Sequence, residues 1–232
     1  MIEDFAEFEA SALRPELLQG VLERHRDEAH KLLACAAQEW IADGCPRFND
    51  HETSCTAVLI GFLDDTLRAG RSNRFQIAVF PEAGGWTDAH LDGRADPNTV
   101  PRPDVALFLG VHHDVKMPVE CKRLLRGYAS ASDYVMKGLQ RFLNGTYDVG
   151  DEQATMICFA LDRDAPQACT DINKVIVERL SSGETLTLAP PLGSLRSVYH
   201  SQHRCASRPF QAVHLLLDIK ARPDARPRRV SR

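Results

Sequence analysis

The residues of this 232-residue chain best placed to do chemistry lie between Arg102 and Lys122. Pro103–Leu109 (PDVALFL) and Met117–Leu124 (MPVECKRL) are two apolar runs joined by GVHHDVK, each with the length and composition of a strand. Alternate side chains of a strand point to opposite faces, so Val119 and Cys121 share one face while Glu120 and Lys122 share the other. Folded antiparallel about His113, the pair sets Asp104 opposite Lys122 and Ala106 opposite Glu120. Facing and diagonal partners in such a pair have Cβ atoms about 4.5–8 Å apart. Asp104 and Glu120 can then reach one divalent cation through oxygen ligands, with the Lys122 amine alongside. Two carboxylates, a cation with positions open to water and a nearby amine are what metal-assisted phosphodiester hydrolysis requires. The cation neutralises phosphate charge and acidifies a bound water, and Lys122 orients that water or stabilises the transition state.

The elements that must position these residues follow from hydrophobic period and breakers. Residues 1–40 read as helix, and a second helix starts at an Asn49-Asp50 N-cap and ends at Gly70. Its Glu52 lies one turn before Cys55 and leans toward the buried stripe, where it can join the strand site. Phe75–Phe80 reads as a strand, and 81–101, rich in Gly, Pro and Asp, as a long loop. A helix over Ser132–Asn144, capped by Gly145, carries Lys137, Gln140 and Arg141 on its polar face, where they can line a substrate path. Thr155–Leu161 is an apolar strand, Asp171–Leu180 a helix, and strands recur near Ser197–His203 and Gln211–Ile219. This order predicts an α/β protein: a central mixed sheet flanked by helices and preceded by N-terminal helices. The segments divide into a helical stretch 1–47, a main domain 48–220 and a basic tail 221–232.

Proline-aspartate, a spacer and Glu-x-Lys on strands, after a helix carrying Glu and before one carrying Lys, resembles the PD-(D/E)XK nuclease superfamily. The resemblance covers about residues 48–161 and extends to the later helix and strands. It implies the restriction-endonuclease-like α/β/α core and Mg²⁺- or Mn²⁺-dependent endonucleolytic cleavage of DNA, with host defence or DNA repair as the setting. On the family's motif, Asp104 and Glu120 match the metal ligands, Lys122 the catalytic lysine and Glu52 the helix acid, a third metal ligand. Lys137, Gln140 and Arg141 fall on what resembles the post-motif helix of some of these nucleases.

Composition limits the rivals. The formal charge is −4, yet the tail 221–232 holds five arginines against one aspartate, so the remaining 220 residues carry −8. A body this acidic does not coat nucleic acid by bulk attraction, and a DNA site must be local. No apolar run spans a bilayer, and the acidic start does not read as a secretory signal. Seven cysteines without a C-x-x-C pair point to a reducing cytoplasm. The acidic N-terminal helices are a candidate surface for a homodimer or a regulatory protein. His112, His113 and Asp114 sit in a turn, and alternation sends His200 and His203 to opposite faces, so neither group reads as a metal site. Plainer readings stay open. Glu120 and Lys122 can be a surface pair, Asp104 a turn residue, Glu52 an acid favoured by the helix dipole, and the polar stripe an ordinary solvated face. A restriction-like fold kept as a nucleic-acid-binding or protein-assembly module, and an RNA-directed nuclease, are the alternative functions.

Overall fold

A computed structural model of the protein describes residues 15–44, 51–70, 77–81, 102–109, 115–125, 128–147, 153–180, 184–205 and 208–220. Among the described residues there are seven strands: β1 (Ala78–Pro81), β2 (Val105–Leu109), β3 (Val115–Leu124), β4 (Gln153–Ala160), β5 (Thr187–Leu188), β6 (Val198–Cys205) and β7 (Arg208–Asp218). They form one open sheet in the order β1-β2-β3-β4-β7-β6-β5. The β3–β4 and β4–β7 pairs are parallel and the others antiparallel, so the sheet is mixed. The central strand β4 is buried from Ala154 onward. A strand covered on both faces is apolar throughout rather than alternating, which is why TMICFAL shows no period.

Helices cover both faces. On one side α1 (Pro15–Ala42) and α2 (Glu52–Arg68) pack Leu32, Leu33, Trp40, Leu59 and Leu63 against Val105, Val119, Cys121, Ile157 and Phe159. On the other lie α3 and α4 (Ala165–Arg179). Helix α3 runs through three consecutive pieces, α-helical Tyr128–Asp133, π-helical Tyr134–Leu139 and α-helical Gln140–Leu143. Tyr134, Val135, Phe142, Ile172 and Val175 meet Met156, Cys158, Ala212 and Leu216 there. Among the described residues no helix is long and apolar enough to cross a membrane.

Several boundaries differ from the sequence expectation. Helix α2 begins at Glu52 behind an His51 N-cap whose side chain makes no capping bond, while Asn49 and Asp50 lie outside the described residues. Helix α4 begins six residues before the expected Asp171, because Asp164 accepts a hydrogen bond from the Gln167 N–H at 2.9 Å and Pro166 occupies the first turn. The hairpin register also differs. Val105 pairs with Val119 and Leu107 with Met117, which places Asp104 level with Glu120 rather than Lys122. Alternation fixes which side chains share a face and nothing more. A slip of two positions preserves those faces, and the offset depends on the turn at 110–114, which lies outside the described residues, as do the loop at 82–101 and the tail at 221–232.

Candidate active site

The site grows from a mismatch in strand length. β3 continues to Leu124, but its pairing with β2 stops at Val105–Val119. Past that point the backbone N–H groups on the β2 side of β3 have lost their strand partner, and buried N–H groups demand an acceptor. Two carboxylates supply it. The Cys121 N–H donates to Asp104 Oδ2 at 2.7 Å, and the Arg123 N–H donates to Glu52 Oε2 at 3.2 Å. Asp104 is the residue immediately before β2, and Glu52 is the first residue of α2, so two separate elements deliver acids to one open edge.

Between them stands the Lys122 ammonium. Its Nζ lies 2.8 Å from Glu52 Oε1, 2.8 Å from Glu120 Oε1 and 3.7 Å from Asp104 Oδ2, and it also donates to the Cys121 carbonyl at 2.9 Å. The Glu120 side chain is fully buried and that of Lys122 nearly so, whereas those of Asp104 and Glu52 are 29% and 32% exposed. Acids and ammonium therefore form a cluster that is closed at Glu120 and open to water at Asp104 and Glu52. Burial alone would lower the Lys122 pKa, but attraction to Glu120 and Asp104 and hydrogen bonds to Glu120 and Glu52 outweigh it and hold the amine above its ordinary value. Asp104 moves the other way for an acid: desolvation, then repulsion from Glu120, push its carboxyl from 3.8 up to about 6, against the pull of Lys122 and the Cys121 N–H.

Helix α3 closes over the buried end. Gly138, in its π-helical stretch, lies so close that a Cβ there would come within 2.7 Å of Met156 Cε, 3.3 Å of Lys122 Cγ and 3.7 Å of Glu120 Cγ. A turn later Arg141 Nη1 donates to Glu120 Oε1 at 3.0 Å and to the Tyr147 hydroxyl at 2.8 Å. The Tyr147 hydroxyl donates to Glu120 Oε2 at 2.7 Å, with the Arg102 carbonyl 3.1 Å away. Tyr147 is brought back beneath Arg141 by the helix end. Gly145 has φ +69° and bonds to the Phe142 carbonyl, and the Thr146 N–H bonds to the Arg141 carbonyl, a Schellman turn.

No family model, curated protein or solved structure matches the chain significantly. The site is therefore read from its own geometry. Asp104, Glu120, Lys122 and Glu52, expected from sequence, come together. Of the three polar residues on α3, only Arg141 is shown bonded to this cluster: Lys137 is exposed and ion-paired with Asp133 at 2.9 Å, and Gln140 is half-buried. Tyr147 was not expected at all. Its position straight after a glycine-capped helix is the signal that points to it, since such a cap folds the next residues back on the last turn.

The donor set is hard oxygen, which suits Mg²⁺ or Mn²⁺ rather than a thiophilic metal. The three carboxylates converge on the ammonium, and among the described residues no group of three or more His, Cys, Asp or Glu side chains forms a metal-holding set. Glu52, Asp104 and Glu120 carry −3 when ionised against +2 from Lys122 and Arg141. Asp104 and Glu120 are the residues that would hold such a cation, with Glu52 at its border.

A second polar chain lies two strands away on the same face. Tyr134 Oη is bonded to His214 Nδ1 at 2.8 Å, His214 Nε2 to Ser201 Oγ at 2.7 Å, and Ser201 Oγ to His203 Nε2 at 2.7 Å. Met156 separates it from Glu120 along the sheet. Burial holds His214 neutral, with its pKa lowered to about 3.

Proposed function

We propose that the protein is a Mg²⁺- or Mn²⁺-dependent endonuclease of the PD-(D/E)XK type that hydrolyses DNA phosphodiester bonds in the cytoplasm, on a restriction-endonuclease-like core. The observation that carries this reading is the Lys122 ammonium within 2.8 Å of Glu52 and Glu120 and 3.7 Å of Asp104 at the open end of β3. When bound, the cation supplies charge neutralisation of the phosphate and an acidified water. Asp104 and Glu120 hold it. Lys122 orients the attacking water and stabilises charge on the phosphate oxygens as the bond to the leaving oxygen breaks. Arg141, with its side chain 44% exposed, has five N–H donors, more than Glu120 and Tyr147 engage, and can take two phosphate oxygens bidentately.

The test is plasmid nicking by purified protein in MgCl₂. Cleavage that is lost in Asp104→Ala and in Lys122→Ala is the expected result; cleavage unaffected by both rejects the assignment. One observation favours a second reading, a binding or assembly module on the same fold. Both acids at the open edge already serve as backbone caps, and Lys122 and Arg141 already neutralise Glu120. A melting temperature indifferent to Mg²⁺ and Mn²⁺, with no cleavage of DNA or RNA, would select that module. Cleavage of RNA in preference to DNA would redirect the nuclease assignment.

A further inference from the structure

Helix α3 sends two side chains in crossing directions. The Leu125 N–H donates to Ser130 Oγ at 3.1 Å, which sets the start of the helix beside the end of β3. Near its other end Phe142 stacks on Phe210 of β7, with ring centroids 6.1 Å apart. Yet Tyr134, near the start, bonds His214 of β7, and Arg141, near the far end, reaches back to Glu120 of β3. An unbroken α-helix brings residue i+7 to within about 20° of residue i, so Tyr134 and Arg141 would leave it on one side. The π-helical stretch Tyr134–Leu139 lies between them. One extra residue in a helical turn rotates all that follows by about 100°, which aims Arg141 away from Tyr134.

Such stretches are rare, and this one is tied at both ends. The tie at Tyr134 has a direction. Ser201 Oγ has one proton and lies 2.7 Å from Nε2 of both His214 and His203. When Ser201 donates to His203, His214 Nε2 donates to Ser201, and His214 Nδ1 is left to accept the Tyr134 hydroxyl at 2.8 Å. The opposite direction strands the proton of a fully buried Tyr134 hydroxyl without an acceptor among the described residues. His203 Nδ1 has no partner there in either case, so it does not decide between the two.

We propose that Tyr134 is the positioning residue for Arg141: its hydroxyl, held by His214, keeps the π-helical register that turns the guanidinium onto Glu120. Released from His214, the helix relaxes to α and carries Arg141 off Glu120. The kinetic half of the test rests on the nuclease reading, in which Arg141 meets the phosphate; the structural half does not.

The experiment pairs crystal structures with plasmid-nicking kinetics of the full-length protein. The variants are Tyr134→Phe, Tyr134→Phe with His214→Leu, Arg141→Ala, Tyr134→Phe with Arg141→Ala, and Ile172→Val. Replacing Tyr134 and His214 together leaves neither partner of their bond unpaired, which keeps the fold. Ile172→Val loosens the same apolar cluster and leaves the polar chain alone. Both variants that free α3 are expected to show a continuous α-helix over 134–141, Arg141 off Glu120 and nicking slower by at least about tenfold. Tyr134→Phe should add nothing to Arg141→Ala, because the two act as one. Ile172→Val should melt earlier, keep the Arg141–Glu120 contact and nick at the wild-type rate. Tyr134 variants that keep the contact, an Ile172→Val protein that loses it, or a further loss beyond Arg141→Ala overturns the inference. Wild type that cuts no DNA, with Arg141 released in the Tyr134 variants, supports the Tyr134 role and removes the nuclease reading. Wild type that cuts, with contact and rate unmoved in Tyr134→Phe, removes the Tyr134 role alone.

Discussion

Replacing Asp104 by Asn is expected to stabilise the protein at neutral and alkaline pH, because the ionised carboxylate is held where it is disfavoured. Desolvation and the neighbouring Glu120 raise its pKa from 3.8 to about 6. Between those two values the folded state binds more protons than the unfolded one, so stability drains away as pH rises through that window and stays lost above it. The shift is worth about 3 kcal/mol, and the 29% exposure of the side chain lets water screen it to about 2 kcal/mol. Asn keeps an oxygen for the Cys121 N–H, so the edge remains capped. For a chain of this size about 2 kcal/mol corresponds to a melting temperature about 4–8 °C higher at pH 8. The assay is thermal unfolding of both proteins by circular dichroism from pH 4 to pH 8, without divalent ions. The buried histidines lose stability in acid equally in both and cancel in the difference. The gain should close as pH falls toward 4. An Asp104→Asn protein no more stable than wild type at pH 8, or a gain that persists at pH 4, would refute the reasoning.

Lys122→Met removes the closest cation from a fully buried Glu120 and leaves it Arg141 and Tyr147; urea unfolding at pH 7 should show a loss of about 3 kcal/mol, at the lower end for a broken buried pair. Gly138→Ala forces a Cβ against Met156 Cε and Lys122 Cγ. Helix propensity offsets the packing cost of about 1 kcal/mol, so the melting temperature should hold within a few degrees while nicking falls at least about tenfold through displacement of Lys122. His30 is bonded to Thr155 at 2.8 Å and held neutral by burial, with its pKa lowered from 6.5 to about 4. The unfolded chain takes up that proton first, so stability contributed by the neutral ring is present above pH 6.5 and is lost as pH falls toward 4, by about 3 kcal/mol. The slope of melting temperature against pH over that range should flatten in His30→Gln.

Much of this architecture was legible in the chain. Alternation in MPVECK put Glu120 and Lys122 on one face and Val119 and Cys121 on the other, and the structure has Val119 and Cys121 under α2 and Glu120 and Lys122 under α3. What alternation cannot carry is register, because a slip of two residues leaves every face unchanged, and so Asp104 was set opposite Lys122 when it stands level with Glu120. Glu52 had two readings, helix-dipole partner or site acid. It stands in the first turn of α2, and its oxygens also bond Lys122 Nζ and the Arg123 N–H, which sets it in the cluster with Asp104 and Glu120. The π-helical stretch over Tyr134–Leu139 had no signature in a helical period. Tyr147 was missed for a different reason: Gly145 signals that the chain turns back on its helix, but no spacing rule says that this turn sets Tyr147 on Glu120.

The most direct measurement is anomalous diffraction from crystals soaked in MnCl₂, asking what binds between residues 104 and 120. The expected result is a manganese peak bonded to the carboxylates of Asp104 and Glu120, with the Lys122 ammonium alongside. Crystals that show no peak there at millimolar Mn²⁺, with the amine unmoved among its three carboxylates, would contradict a cation-dependent active site.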